Sequence, residues 1–307
     1  MKYTIISNND EYMKPVILIQ KDKTELLTNS SLCLIKGEAG SGKSRLVMNI
    51  MVGLSGVDEG LGFEYVKCPE DKHVVYISTE MSRYHMQKRL KAVVERTGKD
   101  YEKNLRFVDF MNVENKVTAL TELCEELNPY VIIIDQIGDF VSNINDIEQC
   151  ITLVNRLTNG IEKKDCAIIG ILHQNEDSGI SSKARGHLGS ILEQKVVSSI
   201  GIASNQHGFN ICTTKLREGK PFKLYAEFDE YTLILKLRNM DNSSIIDKLI
   251  FPCNASELDN QIATILNKSV ATARVVKKEL LQKKVIIAVK EGKFEVFNKN
   301  TEYGNNV

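Results

Sequence analysis

The chain has 307 residues with 40 Lys+Arg against 40 Asp+Glu, so its net charge is zero and bulk charge points to neither a nucleic acid nor a membrane surface. Its 42% hydrophobic and 26% charged residues are those of a globular protein with room for one large domain and one small one. The seven cysteines include no C-x-x-C pair and read as reduced core thiols; no apolar run approaches the ~20 residues of a membrane span, and Met1-Lys2-Tyr3-Thr4 lacks the pattern of a signal peptide. A cytoplasmic location and no membrane partner are therefore expected.

Residues 1–30 read as an N-terminal extension of the core. Residues 31–36 are predicted as a short buried strand, 43–54 as a helix, and 55–72, rich in Gly, Asp and Glu, as a loop. A second strand is predicted over 74–78. Met86, Leu90, Val93 and Val94 then recur at the spacing of one helical face, which Gly98 closes as a C-cap. Residues 105–110 form a third strand, 117–127 a helix ending before Pro129, 131–134 the most apolar strand, 146–163 a helix and 167–172 another strand. Such alternation implies βαβ crossovers, hence an α/β fold with a mainly parallel, twisted sheet covered on both faces. After residue 195, segments 196–203, 209–215, 222–228 and 232–237 are strand-like, with turns at Gly219-Lys220-Pro221 and Asp229-Glu230, and predict an antiparallel extension of the sheet. The core domain is expected over 31–250, with a boundary near Phe251-Pro252-Cys253-Asn254.

Residues 262–266, a turn at Asn267-Lys268-Ser269, and residues 270–282 read as helix–turn–helix. Strands at 285–289 and 294–297 flank Glu291-Gly292. Together they form a winged-helix pattern over 255–300, whose first helix is sought at 244–250. This segment holds nine basic against five acidic residues on a neutral chain. With Val276 and Leu280 inward, Thr272, Arg274, Lys277 and Lys278 are expected outward, where the helix can enter a major groove of duplex DNA while Lys290 and Lys293 approach phosphates. A solvated basic face and a protein-binding winged helix remain the alternatives.

Gly37-Glu38-Ala39-Gly40-Ser41-Gly42-Lys43-Ser44 fits G-x-x-x-x-G-K-[ST] between a strand and a helix, and with Arg45 makes the expected nucleotide-binding stretch. Glycines let successive N–H groups curl toward phosphate oxygens, and the helix N-terminus adds its positive end. Lys43 can reach the β- and γ-phosphates of ATP, and Ser44 can ligate Mg²⁺. Asp135, ending the strand Val131-Ile132-Ile133-Ile134, is the natural second anchor for the metal. Glu80, also at a strand end and expected one strand over from the loop, can orient a water for in-line attack.

Val75-Tyr76-Ile77-Ser78-Thr79-Glu80-Met81-Ser82 resembles the S-x-E-M-S strand of the RecA-like hexameric helicases. Gly189-Ser190-Ile191-Leu192-Glu193-Gln194 resembles their G-S-I-E-Q stretch with one residue inserted. Leu172-His173-Gln174-Asn175 and Lys215-Leu216-Arg217 resemble their γ-phosphate sensor and their K-x-R finger strand. The ordered set spans residues 31–240 and looks closest to the replicative DnaB-type and plasmid RepA-type branch. The resemblance implies a RecA-like ATPase core, a ring of copies, a hexamer in the family, and DNA as the partner. It also implies catalytic roles for Glu80, Lys43, Gln174, Lys215 and Arg217, the last two acting on the neighbouring copy's ATP. His173 alone reads as a core-edge histidine. Arg185-Gly186-His187-Leu188-Gly189 resembles a stretch lying toward single-stranded DNA, and as a glycine-rich run reads equally as a surface loop. Beside a DNA motor, an ATP-gated DNA-binding regulator and a signalling-type ATPase without nucleic acid stay open.

Overall fold

The computed structural model describes residues 6–8, 10–174, 180, 184–205, 208–230, 232–238, 248–266, 269–282, 286–291 and 294–299. Near the N-terminus, β1 (Ile17–Lys21) and β2 (Thr24–Thr28) pair antiparallel through a two-residue turn in which Asp22 and Lys23 both have positive φ, the turn that matches strand twist. The two-residue β4 (Glu64–Tyr65) adds to β1. This small sheet comes from segments whose patterns predict only an extension and a loop; β1 and β2 form a local hairpin, and only β4 joins by a long-range pairing.

The main sheet begins with β3 (Leu32–Gly37), which runs through residues 38–42 into α1 (Lys43–Gly53). There follow β5 (His73–Ser78), α2 (Arg83–Thr97), α3 (Lys99–Glu102), β6 (Leu105–Asp109), α4 (Lys116–Leu127) and β7 (Pro129–Asp135). A 3-10 turn at Ile137–Phe140 leads to α5 (Ile147–Lys164), β8 (Ala167–His173), α6 (Gly186–Lys195), β9 (Ser198–Asn205), β10 (Gly208–Leu216), β11 (Lys223–Asp229) and β12 (Ile234–Leu237). The nine strands lie in the order β12-β11-β10-β9-β3-β8-β7-β5-β6. All pairings from β6 to β9 are parallel; those joining β9 to β12 are antiparallel. The architecture is thus the expected α/β one, with β9 still running parallel to β3 and the antiparallel extension starting at β10.

Side chains alternate across the sheet as its pleat requires. Cys33, Ile35, Val74, Tyr76, Val131, Ile133, Ile169 and Ile171 enter one buried cluster, with Leu46, Val47 and Ile50 of α1 and Met86 and Val93 of α2. Leu32, Leu34, Val75, Ile77, Ile132, Ile134 and Ile168 enter the other, with Leu120 of α4, Leu153 and Leu157 of α5 and Leu188 of α6. Helices therefore cover both faces, which is why the central strands read as unbroken apolar runs.

The chain divides into two compact units, Met1–Leu237 and Arg238–Val307, a division upstream of the boundary expected near residues 251–254. The second unit contains β13 (Cys253–Asn254), α7 (Ala255–Leu266), α8 (Val270–Gln282), β14 (Ile286–Glu291) and β15 (Phe294–Lys299). Its antiparallel sheet has the order β13-β15-β14, and Leu258, Ile262, Ala273, Leu280, Ile286 and Phe297 form its core. Helix α7 starts well before residue 262 because Asn254 and Glu257 cap it reciprocally: Asn254 Oδ1 accepts from Glu257 N at 3.0 Å, and Glu257 Oε2 accepts from Asn254 N at 2.9 Å. Of the first helix sought at 244–250, residues 244–247 lie outside the described residues, and 248–250 are not helical.

Candidate active site

The carboxyl ends of the parallel strands come into line. Gly37 pairs with His173, while Asp135 lies between Ile171 and Ser78. Open α/β sheets bind ligands at such an edge. Two strands, β8 and β7, stand between β3 and β5, so Glu80 is not one strand over from the phosphate loop. Chain order could not show that later strands insert between earlier ones.

The loop itself requires glycine. Gly42, the residue before α1, has φ 97° and the Phe209 ring 2.6 Å from where a Cβ would stand. Lys43 is buried, with Nζ donating to Gly37 O at 3.0 Å and to Glu38 O at 2.7 Å. Burial lowers its pKa, while Asp135, Glu80 and Glu38 favour its charge. His173 Nδ1 lies 3.2 Å from Nζ. Burial and then the Lys43 charge lower the His173 pKa, so the neutral imidazole accepts from the lysine. His173 therefore belongs to the site and is more than a core-edge histidine.

Asp135 gathers three groups. Its Oδ2 accepts from Ser44 Oγ at 3.0 Å and from Tyr76 OH at 2.6 Å, and Arg89 Nη1 lies 3.8 Å from the same oxygen. Beside it, Thr79 Oγ1 donates to Asp139 Oδ2 at 2.6 Å and accepts from Gln136 N at 3.1 Å, which ties the residue before Glu80 to the turn after β7. Glu80 is exposed, with Oε1 3.9 Å from His173 Nε2. Desolvation, then Asp139 and Asp135, raise its pKa against the pull of Lys43. Gln174 is buried next to the loop, its N–H donating to Gly37 O at 3.2 Å.

These groups suit a magnesium-bound triphosphate. The Ser44 hydroxyl spends its proton on Asp135 and keeps lone pairs for a hard cation. Ser41 Oγ, inside the loop, is buried with no hydrogen-bond partner among the described residues, as expected of a donor awaiting an anion. A family model described as AAA domain matches residues 21–179, from the end of β1 past the phosphate loop, Glu80, Asp135 and Gln174. The chain belongs to this AAA domain family. No curated protein matches the sequence. Among solved structures, a KaiC-like protein from the hyperthermophilic archaeon Pyrococcus horikoshii OT3 superposes with a TM-score of 0.51 at 14% identity, over 74% of this chain and 99% of its own. At that identity the likeness concerns the fold, a RecA-like P-loop ATPase core.

Around the AAA domain's loop, Arg45 packs against two aromatic rings, its guanidinium 3.8 Å from the centroid of the Phe228 ring and 5.2 Å from that of Phe209. Arg45, Phe228, Met48, Met81, His85 and Arg89 are among the residues lining a cavity of about 260 Å³ beside Ser44. Lys215 and Arg217 lie at the other end of the sheet, since β10 runs antiparallel and pairs Lys215 with Ser199, toward the start of β3. Within one copy they cap α6. Lys215 Nζ donates to Glu193 O, and Arg217 donates to Lys195 O at 2.9 Å and to Val196 O at 3.3 Å. Arg217 cannot serve its own phosphate loop. The Glu193 side chain pairs with buried Lys36 at 2.5 Å.

Arg185 does not sit in a glycine-rich loop. It is the residue before α6, and its N–H donates to His173 O at 3.1 Å. Leu188 and Gly189 are buried within that helix; the Ser- and Lys-containing stretch upstream lies largely outside the described residues. In the second unit, Lys277 is not the outward cation expected. Its Nζ is 2.5 Å from Asp259 Oδ1 and its side chain only 16% exposed, whereas Arg274, 3.1 Å from Oδ2, is 69% exposed and Lys278 is exposed. Burial pushes the Asp259 carboxyl up, but hydrogen bonds from Lys277 and Arg274 outweigh it and hold the group below the usual carboxylate range. Helical periodicity placed the lysine toward solvent because it could not show a buried acid on the neighbouring helix.

Tyr76, Arg89, Thr79 and Asp139 are the site residues that the sequence reading missed. Arg89 carried a signal: it falls between Met86 and Val93 on the buried stripe of α2, a cation where an apolar residue is expected.

Proposed function

We propose that this chain is a Mg²⁺-dependent ATP hydrolase that acts on DNA as a ring of copies, a helicase-like or replication motor of a plasmid or mobile element. The observation that carries the hydrolytic part is the convergence of Lys43, Ser44, Asp135 and Glu80 at one sheet edge, with the Ser44–Asp135 hydrogen bond at its centre. Lys43 and the loop amides hold the triphosphate. Ser44 and Asp135 would hold the metal, which when bound neutralises charge on the β- and γ-phosphates. Glu80, its proton affinity raised by its neighbours, orients the attacking water, and Gln174 beside the loop senses the γ-phosphate. Arg217 of an adjacent copy completes the site, in keeping with its place far from its own loop.

The DNA part rests on the resemblance of the ordered motifs and on the exposed cations Arg274 and Lys278. The test is ATP turnover with and without single-stranded DNA, on protein of measured oligomeric state, followed by strand separation on a forked duplex. Stimulated turnover with strand separation is expected. A second reading, a signalling-type ATPase that does not bind nucleic acid, is favoured by the pairing of Lys277 with Asp259, which weakens the groove-binding face of α8. Turnover indifferent to DNA selects it, and stimulation without unwinding selects an ATP-gated DNA-binding regulator.

A further inference from the structure

Asp135 is held from behind as well as from the loop. Strand alternation turns Tyr76 and Asp135 toward the sheet face that α1 and α2 cover. There Tyr76 is fully buried, and both capacities of its hydroxyl are used: it donates to Asp135 Oδ2 at 2.6 Å and accepts from Arg89 Nη1 at 3.0 Å. Ser44 takes the second place on Oδ2 at 3.0 Å. A carboxylate oxygen offers about two lone-pair sites, so Oδ2 is saturated by protein donors. Among the described residues nothing bonds Oδ1. The carboxylate is thereby fixed in rotation, with one oxygen committed to the protein and the other left for a ligand. Arg89, 3.8 Å from Oδ2, supplies the charge that a buried carboxylate needs before a cation arrives, and it polarises the tyrosine O–H.

We propose that Tyr76 and Arg89 are positioning residues for the metal: they lock Asp135 so that Oδ1 and the lone pairs of Ser44 face one point beside the phosphate loop. The proposal rests on the reading of this loop as a magnesium-nucleotide site. Outer groups of this kind set metal affinity without touching the metal.

The test separates metal from nucleotide and needs no turnover. ADP affinity is measured by calorimetry with chelator present, and Mn²⁺ affinity of the ADP complex by electron paramagnetic resonance, on the full chain and on Tyr76→Phe, Arg89→Gln and Arg89→Lys. Tyr76→Phe should weaken Mn²⁺ binding by ~10–100-fold while metal-free ADP affinity stays as in the parent. Arg89→Gln should act in the same direction, and Arg89→Lys should restore part of the loss. Thermal unfolding of each variant reports any packing defect, which by itself leaves Mn²⁺ affinity of the folded fraction unmoved. Unchanged Mn²⁺ affinity in Tyr76→Phe overturns the proposal. So does a parallel fall in metal-free ADP affinity, which would make these residues nucleotide contacts. If the parent protein binds neither ADP nor Mn²⁺-ADP, the reading of the loop itself fails instead.

Discussion

The Ser44 hydroxyl donates to Asp135 Oδ2 at 3.0 Å, closing the start of α1 onto the end of β7 across 91 positions of chain. The contact holds the two proposed metal ligands in register. Lys43, one residue earlier, is buried and satisfied by two loop carbonyls, which the triphosphate must replace as acceptors. Lys43→Ala is therefore expected to weaken ATP binding at least ~100-fold, the scale of lost hydrogen bonds to a charged group. Titration with a fluorescent ATP analogue checks this, and parent-like affinity would refute the site.

Glu80→Gln keeps the shape of the side chain and removes its basicity. Nucleotide affinity should be unchanged while turnover falls by ~10²–10⁴-fold, the usual contribution of a positioned base. The pH profile gives an independent check. The active form is the carboxylate, and desolvation with Asp139 and Asp135 raises its pKa, so activity should fall on acidification at a pH above the ordinary glutamate range. Asp139→Asn removes one of the raising charges and should shift that acidic limb downward. A limb that stays in place would separate Glu80 from the rate.

Much of this site was legible before the fold was known. The loop Gly37–Ser44 needs glycines where φ is positive and a lysine that reaches phosphate, and those demands appear directly in residue types. Asp135 and Glu80 stand out in the sequence because a carboxylate closes an apolar run. Tyr76 was invisible: a tyrosine in a core strand is ordinary, and only sheet alternation with the β7 register brings its hydroxyl to Asp135. The strand order was equally hidden, since β7 and β8 enter between β3 and β5. On α8, periodicity found the inward Val276 and Leu280 but could not see Asp259 reaching across from α7.

Arg217 separates two roles by experiment. Its exposed guanidinium caps α6 within one copy and would have to reach a second copy's nucleotide to act in catalysis. Arg217→Ala should leave ATP binding nearly intact and lower turnover by about 10³-fold if the finger works between copies. Loss of the cap alone would cost roughly 1 kcal/mol of stability without touching turnover. Mixing the variant with Lys43→Ala protein should restore part of the activity, since some interfaces would then combine an intact loop with an intact arginine.

The cations of α8 should divide in the same way. Lys277→Ala leaves the buried Asp259 with one partner and should destabilise the second unit by about 3 kcal/mol, the scale of a broken buried pair. Lys278→Ala should leave thermal unfolding unchanged and, if α8 meets DNA, reduce the salt slope of duplex binding by about 1. A salt slope that ignores Lys278 and Arg274 alike would assign this helix to protein contacts.

Glu59 should give the first unit a pH-dependent stability. It is 1% exposed, in the segment between α1 and β4, where Oε1 accepts from Phe63 N at 3.0 Å and Oε2 from Asn49 Nδ2 at 3.2 Å. Asn49, on α1, also bonds both backbone groups of Leu235, so this acid sits under the junction of the P-loop helix with β12. Burial raises its pKa from 4.5 to about 7, against hydrogen bonds from Phe63 and Asn49 that favour the charged form. Between those two values the folded chain holds the proton and the unfolded chain has released it. Stability from this group is therefore present in acid, declines as pH rises from 4.5, and is fully lost above about 7. The span corresponds to at most about 3 kcal/mol. Glu59→Gln keeps an acceptor for Phe63 and cannot ionise, so the stability difference between parent and variant, measured by denaturant unfolding across this range, should tilt toward the variant as pH rises. A difference that is flat with pH would show that the carboxyl titrates alike in both states.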